Sequence, residues 1–474
     1  MRPVPAILIT LVCTVAANSA EEARPNILLI TADDLNYNST GVYGCGIEGI
    51  TPNIDRLAAE GMRFNHAHVT IAVCQPSRSA LMTGRYPHRN GAEGFGPISA
   101  DVATLQERLN EAGYMNGIMG KNAHLAPREK FHWDYYVTSE ELGRGRAPAM
   151  YYKGAKRFFE DARTSGKPFF LMANSDDPHR PFPGSYQELR KWNEHTLASR
   201  VISVEEAEIP NFLPELPEVR EELASYFTSV HRCDETVGEI LRALEDTGLI
   251  ENTLVMFLSD NGMALPFAKT NCYLNSTKTP WIVRWPGAIE PGTVEQDHFV
   301  SGIDFMPTIL EAVGLPIEPG LDGTSFFPLL SGQKQSNRDH VFTVFHETSA
   351  KRRYEMRCVQ NEKFGYIYNG WSDGGFEFRN ESQAGLTMKA MKAAAETDPE
   401  LASRVKLFLY RVPEEFYDFE SDPDALVNLI NDPAHSSNIE NMRRRLESWM
   451  ERTNDPLLNK FRQRSPTEAQ RKPK

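Results

Sequence analysis

Three short apolar runs, each leading to acidic or amide residues, constrain this chain more than any other feature. Residues 26–30 (NILLI) lead to Asp33-Asp34, residues 169–173 (FFLMA) to Asp176-Asp177-Pro178-His179-Arg180, and residues 254–258 (LVMFL) to Asp260-Asn261-Gly262. Runs this short and this uniformly apolar read as strands buried on both faces. A fourth run, residues 115–119, precedes Gly120-Lys121-Asn122-Ala123-His124. Helical signals fall between them. Thr51 and Pro52 open a segment with apolar Ile54 and Leu57 that stops at Gly61, residues 105–112 end before Gly113, and an amphipathic stretch runs from about residue 218 to 245. Strands alternating with helices predict an α/β domain with a largely parallel sheet. In such sheets ligands gather beyond the carboxyl ends of the strands, so residues far apart in sequence can meet on one rim.

Composition sets the remaining bounds. A chain of 474 residues with 41% hydrophobic and 24% charged residues is an ordinary globular protein of more than one domain. Its net charge of −13 excludes general nucleic-acid binding but leaves room for a local cationic pocket. Arg2, the apolar stretch 4–17 and the small residues 17–20 read as a secretory signal over residues 1–20, and no later run is apolar enough to span a bilayer. Export to a periplasm or to the medium follows, or to a lysosome in a eukaryote. Two glycosylation sequons, at Asn38 and Asn275, matter only in the eukaryotic case. Five cysteines remain after Cys13; setting Cys74 aside leaves four, which are either free or joined in up to two bridges. The composition shifts near residues 332–350, which sets a main domain at 21–345 and a smaller one at 346–455. In the latter, residues 358–368 and 415–419 read as strands around a helix-prone stretch at 380–410, and a last helix covers about 438–452. A charged tail, 456–474, is expected to be disordered.

Asp33, Asp34, Asp260 and Asn261 form a set of hard oxygen donors that suits Ca²⁺, or Mg²⁺, rather than zinc. Lys121, His124, His179 and Lys269 follow strand-like runs or the Asp-Asn pair. They supply what cleavage of an anionic ester needs: cations for its oxygens, and an acid and a base. Asp177, Arg180, His346, Glu347 and Arg357 are further polar candidates for contacts to a substrate.

Cys74-Gln75-Pro76-Ser77-Arg78, continuing to Leu81-Met82-Thr83-Gly84-Arg85, resembles the sequence in which sulfatases convert cysteine to Cα-formylglycine. With Asp33-Asp34, Gly120-Lys121, Pro178-His179, Ser259-Asp260-Asn261-Gly262, Lys269, Ile303-Asp304 to Thr308, Asp322-Gly323-Thr324-Ser325 and Phe416-Tyr417-Asp418, the chain resembles a type I sulfatase of the alkaline-phosphatase superfamily from about residue 24 to 429. Residues 177–180 and 265–273 resemble the heparan N-sulfatase (sulfamidase) branch.

The resemblance implies a large, mixed but mostly parallel sheet flanked by helices, plus a smaller C-terminal α+β domain with an antiparallel sheet. It implies formylglycine at Cys74, with Asp33, Asp34, residue 74, Asp260 and Asn261 around a Ca²⁺. Arg78 would steady the modified residue, Lys121 and Lys269 would hold sulfate oxygens, His179 would protonate the leaving group and His124 would help regenerate the aldehyde. His124 departs from the usual spacing, lying three residues after Lys121 rather than two. The implied partners are a sulfated saccharide and a formylglycine-generating or sulfatase-maturating enzyme. The implied activity is sulfate hydrolysis from a glycan, N-sulfate of glucosamine included. O-sulfatase and phosphonate or phosphodiester hydrolase activity are the alternatives within the superfamily, and a non-catalytic glycan-binding protein is the alternative outside catalysis.

Overall fold

The computed structural model describes residues 24–193 and 198–463; the expected signal segment lies outside them. The four apolar runs are the strands β1 (Asn26–Asp33), β4 (Met115–Met119), β6 (Phe169–Pro178) and β7 (Thr253–Ser259), and the sequence reading does not anticipate β2 (Met62–Phe64), β3 (Ala67–His68), β5 (Tyr135–Val137), β8 (Trp281–Arg284) and β9 (Thr293–Glu295). All but β3 join one eight-stranded sheet of order β5-β4-β6-β1-β7-β8-β2-β9, while β3 pairs with β10 (Val300–Ser301). The pairs β5–β4, β4–β6, β6–β1, β1–β7 and β2–β9 are parallel, and β8 runs antiparallel to both β7 and β2.

Strand alternation divides the central apolar residues between two cores. Leu28, Ile30, Val255 and Phe257 face one, with helices Pro148–Ser165 and Pro217–Asp246. Ile27, Leu29, Leu254, Met256 and Leu258 face the other, with helices Leu105–Glu111 and Phe305–Ala312. Burial at about 1.5–3 kcal/mol per large side chain on both faces fixes the register of β1 against β6 and β7. Their carboxyl ends therefore lie side by side, with Ala32 opposite Ser259 and Asp33 opposite Pro178.

A second sheet, β11 (Val341–Glu347), β12 (Arg353–Gln360), β13 (Phe364–Asn369) and β14 (Glu414–Asp418), is antiparallel in that order. It begins at Val341, ahead of the boundary expected at 345/346. The stretch 358–368 expected as a strand is instead the end of β12, the turn at 361–363 and most of β13, a hairpin. Helices Leu386–Ala394, Pro399–Tyr410 and Ser436–Arg452 occupy the stretches read as helical. Val344 bridges Ile71, and its N–H donates to the Thr70 carbonyl at 2.9 Å, so the small sheet is tied to the segment just before Cys74. Residues 456–463, expected as the head of a disordered tail, instead include the helix Leu458–Arg462; burial of Phe461 against the core holds it there. Cys45, Cys74, Cys233, Cys272 and Cys358 are all free thiols. No helix among the described residues is long and apolar enough to cross a membrane.

Candidate active site

Cys74 opens the helix Cys74–Thr83, with Pro76 inside its first turn, where a missing N–H costs nothing. The site therefore sits at a helix N-terminus, whose free N–H groups and dipole favour an anion. Arg78 lies one turn along, on the same face as Cys74. It is fully buried: Nε and Nη2 donate to Asp260 Oδ2 at 3.1 and 2.7 Å, and Nη1 donates to Thr31 Oγ1 at 2.6 Å and Asn174 Oδ1 at 2.5 Å. Arg78 thus fastens the helix to the ends of β1, β6 and β7.

The acidic residues follow from those strand ends. Asp33 closes β1, and Asp34 turns away with φ of 71°, a left-handed conformation that a non-glycine residue keeps only where its surroundings enforce it. Asp260 and Asn261 follow β7. The Cys74 thiol donates to Asp33 Oδ1 at 3.2 Å, and ligand atoms of Asp33, Asp34, Cys74 and Asp260 all lie within 4.8 Å of one another. Asn261 Nδ2 donates to Asp34 Oδ1 at 2.7 Å. Asp34 Oδ2 and Asn261 Oδ1 are buried and accept no hydrogen bond. Buried oxygens without donors, clustered with two more carboxylates, fit a hard divalent cation.

The electrostatics agree. Burial drives the Asp34 carboxyl up against the pull of Lys269, and burial with Asp33 pushes Asp260 up to about 7 despite Arg78. Burial also works on Asp33, but Lys121, His179, Arg78 and Lys269 together overcome it and hold that carboxyl well below its usual range. Carboxylates that frustrate one another in this way are relieved by a bound cation. Burial and Asp33 push the Cys74 thiol well up, so the side chain as a cysteine is a poor nucleophile.

Cations close the other side. Gly120 (φ 68°) abuts the Asn174 carbonyl, where a Cβ has no room, and Lys121 after it is also left-handed. That turn aims Lys121 Nζ into an ion pair with Asp33, with Asp176 at 4.0 Å. Lys269 is fully buried; its Nζ lies 2.6 Å from Asp34 Oδ1, 3.5 Å from Cys74 Sγ, and pairs with Glu381. His179 Nδ1 meets the Arg180 carbonyl at 2.5 Å, which puts the proton on Nδ1 and leaves Nε2 facing Asp34 and Glu381 at 3.9 and 3.8 Å. His124 stands edge-on to Phe95, and burial followed by Lys121 depresses its pKa well below the usual range, which favours the neutral imidazole.

A cavity of about 240 Å³ opens onto Cys74, Lys121, His124 and His179, with Val73, Phe95, Thr270, Thr348, Ser349, Asn380 and Glu381 completing its wall. A larger cavity of about 1190 Å³, lined by Arg445, Trp449 and Arg89 among others, contains none of the expected site residues.

The five candidate substrate contacts are not brought to this cavity. Asp177 is buried between Arg146 (2.5 Å), Ser229 (2.6 Å) and Arg232 (2.7 Å). Arg180 pairs with Glu222 and donates to the Ala264 carbonyl at 2.9 Å. His346 is buried 3.4 Å from Glu93, and Arg357 is locked to Asp455 at 2.5 Å. Glu347, at the end of β11, packs against Gly94, one residue short of the lining Thr348. Asp177, Arg180, His346 and Arg357 each have a charged partner that sequence does not place beside them. The unforeseen wall residues are Val73, Phe95, Thr270, Thr348, Ser349, Asn380 and Glu381; Val73 and Thr270 adjoin Cys74 and Lys269, Thr348 and Ser349 lie within two residues of the expected Glu347, and Glu381 carries no local signal.

Comparison with known proteins agrees with this geometry. The sulfatase family profile matches residues 25–315, and a profile described as N-sulphoglucosamine sulphohydrolase, C-terminal, matches residues 264–381. Human N-sulphoglucosamine sulphohydrolase is 29% identical over 469 residues, covering 92% of each chain. An N-acetylglucosamine-6-O-sulfatase of Bacteroides thetaiotaomicron is 25% identical over 447 residues, covering 74% of this chain and 79% of its own. A structure solved with its substrate D-glucosamine-2-N,6-O-disulfate superimposes with a TM-score of 0.69 at 19% identity, over 91% of this chain and 99% of that one. The phosphonate monoester hydrolase of Agrobacterium radiobacter gives 0.65 at 19% identity, over 91% and 96%, a likeness of fold alone. The chain belongs to the sulfatase family. It is a hydrolase of sulfuric ester or sulfamate bonds.

Proposed function

We propose that this protein removes sulfate from a sulfated glycan, with the N-sulfate of glucosamine as its preferred group, by way of a Cα-formylglycine formed from Cys74 and a Ca²⁺ (or Mg²⁺). The carrying observation is that Cys74 sits at a helix N-terminus, 3.2 Å from a buried carboxylate cluster and 3.5 Å from the Lys269 ammonium. The N-sulfate preference is supported by the match of residues 264–381, which include Lys269 and Glu381, to the N-sulphoglucosamine sulphohydrolase profile. The 6-O-sulfatase relative supports O-sulfate as the second reading.

Asp33, Asp34, Asp260 and Asn261 would hold the cation, with residue 74 beside them. When bound, the cation supplies positive charge that keeps a hydrated aldehyde oxygen ionised and neutralises sulfate. The chain's own residues do the rest. Lys121 and Lys269 bind the sulfuryl oxygens, and their pairing with Asp33 and Asp34 keeps both ammonium groups fixed and charged. Arg78, spent on Asp260, Thr31 and Asn174, orients the helix that carries residue 74 rather than touching substrate. His179 in its imidazolium form, with the Nδ1 proton held by the Arg180 carbonyl, delivers the Nε2 proton to the leaving atom. His124, kept neutral by burial, suits the base that restores the aldehyde.

Cys74 is only 3% exposed, so the maturating enzyme must meet this segment before it folds. Export, to a periplasm, the medium or a lysosome, and the division near residue 345 belong to the same proposal. The test is turnover of N-sulfoglucosamine and glucosamine 6-O-sulfate by enzyme purified with residue 74 oxidised. Hydrolysis of an aryl phosphonate in preference to both would overturn the reading.

A further inference from the structure

Glu381, from the segment leading into helix Leu386–Ala394, is the one acidic side chain among the described residues that line the cavity, where it stands with Lys121, His124 and His179. The segment that carries it is anchored on both sides. Asn380 Nδ2 donates to Thr270 Oγ1, Ser382 Oγ donates to Asn380 Oδ1 at 2.8 Å, and Glu222, itself paired with Arg180, accepts the Thr387 N–H at 2.8 Å. One carboxylate oxygen pairs with Lys269, whose charge Asp34 already meets at 2.6 Å; the other lies 3.8 Å from His179 Nε2, the nitrogen that faces the leaving atom.

A carboxylate here repels a sulfate dianion or monoester unless the substrate offers it a donor. The two candidate bonds differ in just that respect. The nitrogen of a sulfamate carries a hydrogen, whereas the bridging oxygen of a sulfate ester carries only lone pairs. Resting on the sulfatase reading above, we propose that Glu381 is the specificity-determining residue for N-sulfate, accepting the N–H of the scissile sulfamate. In the step it serves, the S–N bond breaks as the sulfuryl group passes to the nucleophile at residue 74. The electron pair of that bond stays on nitrogen and takes the proton from His179 Nε2. The amine so formed keeps its hydrogen bond to Glu381, and any further protonation to an ammonium strengthens that contact, so the interaction grows as the bond breaks.

The test is kcat/KM of matured wild type, Glu381→Gln and Glu381→Ala on N-sulfoglucosamine and on glucosamine 6-O-sulfate, with bound metal and thermal midpoint measured in parallel. A lost hydrogen bond to a charged acceptor predicts that the N-to-O ratio falls about tenfold or more in both variants. Wild type should also be inhibited by glucosamine more strongly than by N-acetylglucosamine, a difference that Glu381→Gln removes. Equal losses on both substrates would overturn the proposal and leave Glu381 as a partner of Lys269 only. Loss of bound metal in Glu381→Gln, or wild-type turnover of the O-sulfate alone, would overturn it as well. Matured wild type that turns over neither substrate overturns the sulfatase reading itself, a result distinct from any of these.

Discussion

Asp177 lies two residues before the candidate site residue His179, yet its carboxylate is buried among Arg146, Arg232 and Ser229. Those arginines outweigh the cost of burial and hold its carboxyl below the usual range. Asp177→Ala leaves two guanidinium groups facing a void, a change that costs about 3–5 kcal/mol. The isosteric Asp177→Asn keeps the shape and an acceptor but loses the charge, and about 2–3 kcal/mol is expected. At roughly 2.1 cal/mol/K per residue of unfolding entropy, a chain of 474 residues has a slope near 1 kcal/mol/K, so the thermal midpoints should fall by about 4 °C and 2–3 °C. Arg146 also donates to the His179 carbonyl at 2.9 Å, so freeing it should lower kcat while KM changes little. Scanning calorimetry with steady-state kinetics reads both. An unchanged midpoint with KM raised tenfold would mean that Asp177 binds sugar, and the structural assignment would be wrong.

Cys74→Ala should abolish turnover with the thermal midpoint preserved, checked by product release and calorimetry; residual activity above about a thousandth of wild type would refute the nucleophile. Asp260→Ala should lower both bound Ca²⁺, read by elemental analysis, and rate, and intact metal content would remove Asp260 from the ligand set. His88 is buried beside Trp449, His346, Arg357 and Arg89, with Asp455 at 4.0 Å, and burial followed by Arg357 lowers its pKa from 6.5 to about 4. Above pH 6.5 it is neutral folded or unfolded; as pH falls toward 4 only the unfolded chain takes up the proton, so up to about 3 kcal/mol of stability is lost across that window. His88→Asn should flatten the decline of denaturation midpoints between pH 6.5 and 4, and an unchanged slope would refute the assignment.

Much of the fold was legible because β1, β6 and β7 are buried on both faces and spell themselves as apolar runs, and because the candidate site residues follow strand ends. By the same rule Asp33, Asp34, Lys121, Asp260 and Asn261 are expected together on one rim from sequence alone. The β12–β13 hairpin was missed because residues 358–368 contain no strong turn dipeptide at 361–363. Asp177, Arg180, His346 and Arg357 lie off the cavity for a different reason. A charged residue beside a motif looks available until its partner is known, and Arg146, Arg232, Glu222 and Asp455 lie 31 to 98 positions away from the residues they satisfy. Glu381 was invisible because it reaches Lys269, more than a hundred residues earlier, only through the packing of the smaller sheet and its helices against the main one.

The central claim is that residue 74 acts as an aldehyde-derived nucleophile over the carboxylate cluster. Mass spectrometry of the peptide containing residue 74, taken from batches of protein with differing extents of maturation and paired with turnover, tests it most directly. Activity should rise in proportion to the fraction carrying formylglycine or its hydrate and extrapolate to zero for the thiol. Full activity from protein whose residue 74 is entirely cysteine would contradict the account.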